Sequence, residues 1–235
     1  LKREGTVGGV GAGACCEKEA GPMLDAGLKG NLMEQWAAAG ITHIEAAAFV
    51  HPKWVPQMAN SAEVLKLITR HKHVSYSALT PNMRGLERAL ESGVNEVAVF
   101  GAASESFSQR NTNCSIAESL TRFEPVAKAA LDAGLKVRGY VSVVVDCPYE
   151  GAVLPSVVAQ VAEQLMQMGC YEVSLGDTIG TATPGRMLEM LNAVSQNIPM
   201  HQLAGHCHNT YRQALATVLT ILEAGVPTLD NSVPA

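Results

Sequence analysis

The sequence predicts an α/β chain built as a (β/α)8 TIM barrel, incomplete or with an atypical first strand and a truncated C-terminus. Three observations carry that expectation: one helix–glycine–strand phrase recurs along the chain, its repeat length suits a barrel, and a polar residue closes every strand.

The phrase begins near Leu28. Amphipathic helices end at Ala39-Gly40, Ser92-Gly93, Ala133-Gly134, Met168-Gly169 and Ala224-Gly225. Glycine suits the left-handed position past a helix, where a Cβ is penalised. Strands are expected soon after, at 42–48, 95–100, 136–145, 171–176 and 227–231. Two more, at 73–79 and 202–206, follow helices that stop near His71 and Asn197 without glycine. The spacing is about 31 residues per unit, close to what a barrel of roughly 250 residues needs. Runs such as 96–100 and 141–145 are nearly all apolar, as parallel strands covered on both faces are. A doubly wound open sheet shares these local signs; seven strands with polar ends favour the barrel.

Hydrophobic residues form 47% of the 235 residues and charged residues 17%, which excludes a disordered chain. A net charge of −5 argues against a nucleic-acid binder, and no apolar run approaches the ~18 residues of a membrane span. The six cysteines show no CxxC pair, so reduced thiols are expected. The chain begins at Leu1 rather than Met, so it is silent on a targeting segment. Eight of the 21 glycines fall in the first 30 residues. Gly9 to Ala14 can be set on a dinucleotide fingerprint, but no convincing strand precedes it and Pro22 interrupts any helix. Residues 1–27 are therefore expected to be an irregular Gly-rich segment, and 28–235 a partial barrel domain.

In this fold the chemistry sits where the strands end. Those ends supply Glu45, Thr80, Ser104, Glu105, Tyr140, Ser142, Asp177, Thr178, His206, His208, Asn231 and Ser232. In His206-Cys207-His208 the two imidazoles project to one side of a strand, about 7 Å apart at the backbone, and can share a divalent ion. Cys207 then faces the helices. Asp177, flanked by Gly176 and Gly180, can orient a ligand or move a proton, or it can cap the segment that leads to Pro184. Glu45 lies inside an apolar run, so its carboxyl should meet a cation, a metal or a donor. His43, His51, His71, His73 and His201 are expected at the surface or in the core.

Several segments together resemble the 3-hydroxy-3-methylglutaryl-CoA lyase family. They are Phe49-Val-His-Pro-Lys-Trp-Val-Pro-Gln-Met58, Phe100-Gly-Ala-Ala-Ser104, Asn113-Cys-Ser-Ile116, Arg138-Gly-Tyr-Val-Ser142, Cys147-Pro-Tyr-Glu-Gly151, Leu175-Gly-Asp-Thr-Ile-Gly180 and His206-Cys-His-Asn-Thr-Tyr211. The likeness runs from about Leu28 to Val233. It implies retro-Claisen cleavage of 3-hydroxy-3-methylglutaryl-CoA to acetyl-CoA and acetoacetate, as in leucine breakdown and ketone-body formation, assisted by Mg2+ or Mn2+. By the same resemblance His206 and His208 are metal ligands, and Glu45, Asp177 and Tyr140 are catalytic. Thr178 and Ser142 bind substrate. An acyl-CoA partner and a homodimer are implied, in the mitochondrial matrix or the bacterial cytoplasm.

The family's first strand ends in Arg-Asp-Gly, and no Arg-Asp pair occurs in this chain. Its Gly-rich loop with a catalytic Cys, and its Asn ligand, are expected after the position of Val233. Little or no turnover is therefore expected from these residues on their own. Two other readings stand beside the lyase: a related acyl-CoA-dependent carboligase like isopropylmalate or homocitrate synthase, and a non-catalytic barrel that associates with full-length subunits.

Overall fold

Apolar residues at helical spacing alternate with β-branched runs, and the computed structural model describes the resulting elements over residues 10–11, 24–53 and 55–231. The first half holds β1 (Val10–Gly11), α1 (Ala26–Ala38), β2 (His43–Ala48), α2 (Ser61–Leu67), β3 (Ser75–Leu79), α3 (Met83–Glu91) and β4 (Glu96–Ala102). Next come α4 (Glu105–Thr112), α5 (Ile116–Asp132), β5 (Lys136–Ser142) and a hairpin of β6 (Asp146–Cys147) and β7 (Gly151–Ala152). The remainder is α6 (Pro155–Gln167), β8 (Glu172–Asp177), α7 (Pro184–Val194), β9 (Leu203–Cys207), α8 (Ala214–Glu223) and β10 (Thr228–Asp230).

Eight strands form one sheet in the order β1-β2-β3-β4-β5-β8-β9-β10, all pairs parallel. The sheet is curled. In a flat one β2 and β5 would stand about 14 Å apart, yet the Tyr140 hydroxyl on β5 reaches the Glu45 carboxylate on β2 at 2.8 Å. All seven strands expected from the sequence are present. Val10–Gly11, in the segment expected to be irregular, pairs with Ile44 and Glu45 as a two-residue strand. The dinucleotide-like stretch otherwise lies outside the described residues, as do Cys15, Cys16, Trp54 and Ser232. The fifth strand stops at Ser142 rather than at 145. Val143 takes a left-handed φ of 57°, rare for a β-branched residue, and its N–H is held by the Thr178 hydroxyl at 2.8 Å.

The five expected helix-ending glycines all have positive φ, from 67° at Gly93 to 97° at Gly225. Each releases the chain from a helix toward its next strand. The helices present one apolar face inward: Val158, Val161, Ala162 and Leu165 on α6, then Met187, Met190, Leu191 and Val194 on α7. These pack on the outward strand residues Val137, Val141, Val173, Leu175 and Leu203 in one continuous core. Burying each such side chain contributes about 1.5–3 kcal/mol. The alternate residues of the same strands face the lumen, and many of those are polar. The four described cysteines, Cys114, Cys147, Cys170 and Cys207, are free thiols, and Cys207 packs against the main core as expected.

Candidate active site at the carboxyl ends of the strands

Strand register decides what meets in the lumen. Tyr140 stands beside Phe100 and Ser174, and His206 stands between Gly176 and Asp230. Gly176 has no side chain on that row, which leaves room for the imidazole. The resulting cavity is about 1630 Å³ and is lined by Glu45, Tyr140, Ser142, Thr178 and His206 among others. Five of the seven residues marked by the sequence as site residues thus border one space.

The two histidines converge. Nε2 of His206 lies 3.0 Å from Nε2 of His208, with the rings 65° apart. Two ligands at right angles, each about 2.1 Å from one ion, would also sit about 3 Å apart. The donor set and spacing therefore fit a divalent cation. No group of three or more His, Cys, Asp or Glu at metal-holding spacing occurs among the described residues.

Glu45 is only 7% exposed. Burial pushes its carboxyl up to about 7, although the hydrogen bond from Tyr140 and the charge of Arg138 pull it down. The expected partner of this buried acid is thus a phenol. Burial, together with the Glu45 charge, holds Tyr140 well above its ordinary value.

Asp177 is 2% exposed and does not line the cavity. Its Oδ1 accepts from the Thr181 N–H and its Oδ2 from the Ala182 N–H, both at 3.1 Å. Burial raises its carboxyl; those N–H groups and the nearby His208 oppose the rise. The side chain closes the loop before α7. These contacts are those of the capping role that the sequence allowed; they leave the ligand-orienting or proton-moving role open.

Other strand-end residues have local duties. The Thr80 hydroxyl donates to the Ala98 carbonyl, Ser104 caps α4 and donates to the Cys147 sulfur, and Glu105 accepts from the Ile116 N–H. Of the histidines expected at the surface or in the core, His51 and His201 are exposed and His43 is half-buried; all three also border the cavity. His71 pairs with Glu34 at 2.8 Å.

Sequence reasoning missed the polar network deeper in the lumen. Arg138 donates to Glu172 at 2.8 Å, to both oxygens of Asp230 at 2.9 and 3.0 Å, and to the Tyr140 hydroxyl at 3.0 Å. Ser174 donates to Asp230 and Thr228 to Glu172, while Tyr171 donates to Glu96. Burial alone would lower the Arg138 guanidinium, but Asp230, Tyr140 and Glu172 hold it well above its ordinary value. The available signal was period-two polarity inside the apolar runs: Glu96, then Arg138 and Tyr140, then Glu172 and Ser174.

Comparison with known proteins shows the family. The HMGL-like family model matches residues 17–234. A bovine protein named hydroxymethylglutaryl-CoA lyase, mitochondrial, is 55% identical over 206 residues, 88% of this chain and 63% of its own length. A Pseudomonas aeruginosa 3-hydroxy-3-isohexenylglutaryl-CoA/hydroxy-methylglutaryl-CoA lyase is 56% identical over 202 residues, 86% of this chain and 67% of that protein. The crystal structure of hydroxymethylglutaryl-CoA lyase from the same species superposes with a TM-score of 0.92 at 52% identity, covering 97% of this chain and 77% of that one. This chain therefore spans a little under two thirds of the bovine relative. Sequence, strand order and backbone agree across the barrel, and the chain belongs to the HMGL-like family.

Proposed function

We propose that this chain carries the metal-assisted cleavage centre of a hydroxymethylglutaryl-CoA lyase. Its reaction splits 3-hydroxy-3-methylglutaryl-CoA into acetoacetate and acetyl-CoA. The observation that carries the reading is the 3.0 Å convergence of His206 and His208 at a cavity that also holds the Glu45–Tyr140 pair. His206 and His208 would hold Mg2+ or Mn2+, which when bound polarises the substrate's tertiary hydroxyl and lowers its pKa.

The chain's own groups handle the proton and exclude water. Glu45, poised near 7, takes the hydroxyl proton as the bond between C2 and C3 breaks. The electron pair of that bond moves to the thioester fragment as an enolate, and C3 becomes the ketone carbon of acetoacetate. Tyr140 steers Glu45 and stands at the substrate. A proton returned to C2 completes acetyl-CoA. Ser142 and Thr178, on the cavity wall, position the substrate. Asp177 enters through the loop it closes and through its charge toward His208. An acyl-CoA is the partner this reading needs.

The test combines binding with turnover, because the sequence contains no Arg-Asp pair to steady the enolate. Calorimetry with 3-hydroxy-3-methylglutaryl-CoA should show binding that Mn2+ strengthens and His206→Ala weakens. Acetoacetate release should be detectable but below the ~1–10³ s⁻¹ of typical enzymes. Binding indifferent to Mn2+ and to His206→Ala overturns the reading. So does condensation of acetyl-CoA with a 2-oxo acid in place of cleavage.

A further inference from the structure

Arg138, the lumen arginine, has no part in the chemistry just described, yet its side chain makes four hydrogen bonds. Its five N–H groups can only donate. Nε is committed to Glu172, and Nη2 and Nη1 grip the two oxygens of Asp230. The anchors come from different strands, β8 and β10, so the guanidinium cannot swing toward one without leaving the other. Nη1 also lies 3.0 Å from the Tyr140 oxygen.

That contact has a direction. Arginine donates, so the Tyr140 oxygen must accept there, and its single hydrogen is left for another acceptor. The Glu45 Oε2 stands 2.8 Å away and takes it. Arg138 sits 7% and Asp230 8% exposed at their side chains, so water competes little for any of these positions. Four carboxylates face this lumen: Glu45 from β2, Glu96 from β4, Glu172 from β8 and Asp230 from β10. Arg138 bonds two of them directly; it acts on Glu45 through its charge and, by hydrogen bonding, through the phenol.

We propose that Arg138 is a positioning residue for the cleavage described above: clamped by Asp230 and Glu172, it fixes the Tyr140 hydroxyl as a one-way donor to Glu45 and thereby sets how readily Glu45 holds a proton. The inference rests on the lyase reading for its catalytic consequence, and on geometry alone for its effect on Glu45. The groups bearing on Glu45 are Tyr140 and Arg138 from β5, Asp230 from β10 and Glu96 from β4.

The experiment is a 13C NMR titration of the chain with labelled glutamate carboxyls, the Glu45 signal being identified by its loss in Glu45→Gln. In Arg138→Gln, shown folded by circular dichroism, the Glu45 midpoint should rise by about one pH unit or more. Arg138→Lys keeps the charge without the fork and should restore only part of the shift. An unmoved midpoint in Arg138→Gln, or full restoration by lysine, overturns the proposal. If neither variant folds, Tyr140→Phe decides: the clamp remains but the donor is gone, so a raised midpoint supports the relay and an unchanged one ends it. In parallel, kcat for acetoacetate release should fall about 100-fold in Arg138→Gln with KM within about threefold. If binding of 3-hydroxy-3-methylglutaryl-CoA is indifferent to Mn2+ and to His206→Ala, the lyase reading fails, while the titration still judges the relay.

Discussion

The Glu45 carboxylate and the Tyr140 hydroxyl meet at 2.8 Å across the lumen, from strands that are 95 residues apart in the chain. That contact exists because the sheet curls, and it gives a buried acid a short-range donor. Its energetic signature is open to measurement.

Unfolded, Glu45 releases its proton near the ordinary value of 4.5; folded, it does so near 7, chiefly because of burial. Between those values the folded chain holds a proton that the unfolded chain has lost, so stability falls as pH rises through this window. The full cost is on the order of 3 kcal/mol at pH 8. Glu45→Gln keeps an acceptor for Tyr140 and carries no charge. Thermal melts should show the variant gaining over the parent chain as pH rises from about 4.5 to 8, and matching it below. A constant difference across that range contradicts the burial account. Glu96, also raised by burial, is common to both chains and cancels.

Asp177→Asn separates a loop clamp from a proton carrier. Both carboxylate oxygens accept backbone N–H groups, and an amide would turn a donor toward one of them. The expected loss is about 1–3 kcal/mol in urea unfolding. An unaltered midpoint with lost activity would instead place Asp177 in the chemistry.

The barrel was legible because its punctuation is local. Gly40, Gly93, Gly134, Gly169 and Gly225 each take the left-handed conformation that lets a helix end, and the strands follow at once. Glu45 was legible for the opposite reason: a carboxylate in an apolar run demands a partner. The identity of that partner was not, since Tyr140 lies 95 residues away. The role of Arg138 was not legible either, because its anchors Glu172 and Asp230 are 34 and 92 residues distant. Asp177 could be read two ways from the sequence, as only backbone placement reveals which N–H groups reach it. That His43, His51 and His201 border the cavity depends on how β2 and the neighbouring loops are placed, which no short-range pattern encodes.

Gly180→Ala should disturb the histidine pair through the His208 backbone rather than its imidazole. Gly180 has a φ of 68°, and a Cβ there would stand 2.9 Å from the His208 carbonyl oxygen and 2.5 Å from the Thr210 hydroxyl. Backbone must shift, at a cost of about 1–3 kcal/mol. Calorimetry should find weaker Mn2+ binding as well as a lower melting temperature. Unchanged Mn2+ affinity would show that the Gly180 turn and the His208 site are independent.

The most direct measurement is pulsed EPR on Mn2+ bound to the chain, reading nitrogen modulation from coordinated imidazole. The geometry predicts one ion bearing two histidine nitrogens, falling to one in His206→Ala or in His208→Ala, with affinity lowered about tenfold or more in each. Modulation from no imidazole, or a signal that neither substitution alters, would contradict a cation shared between His206 and His208.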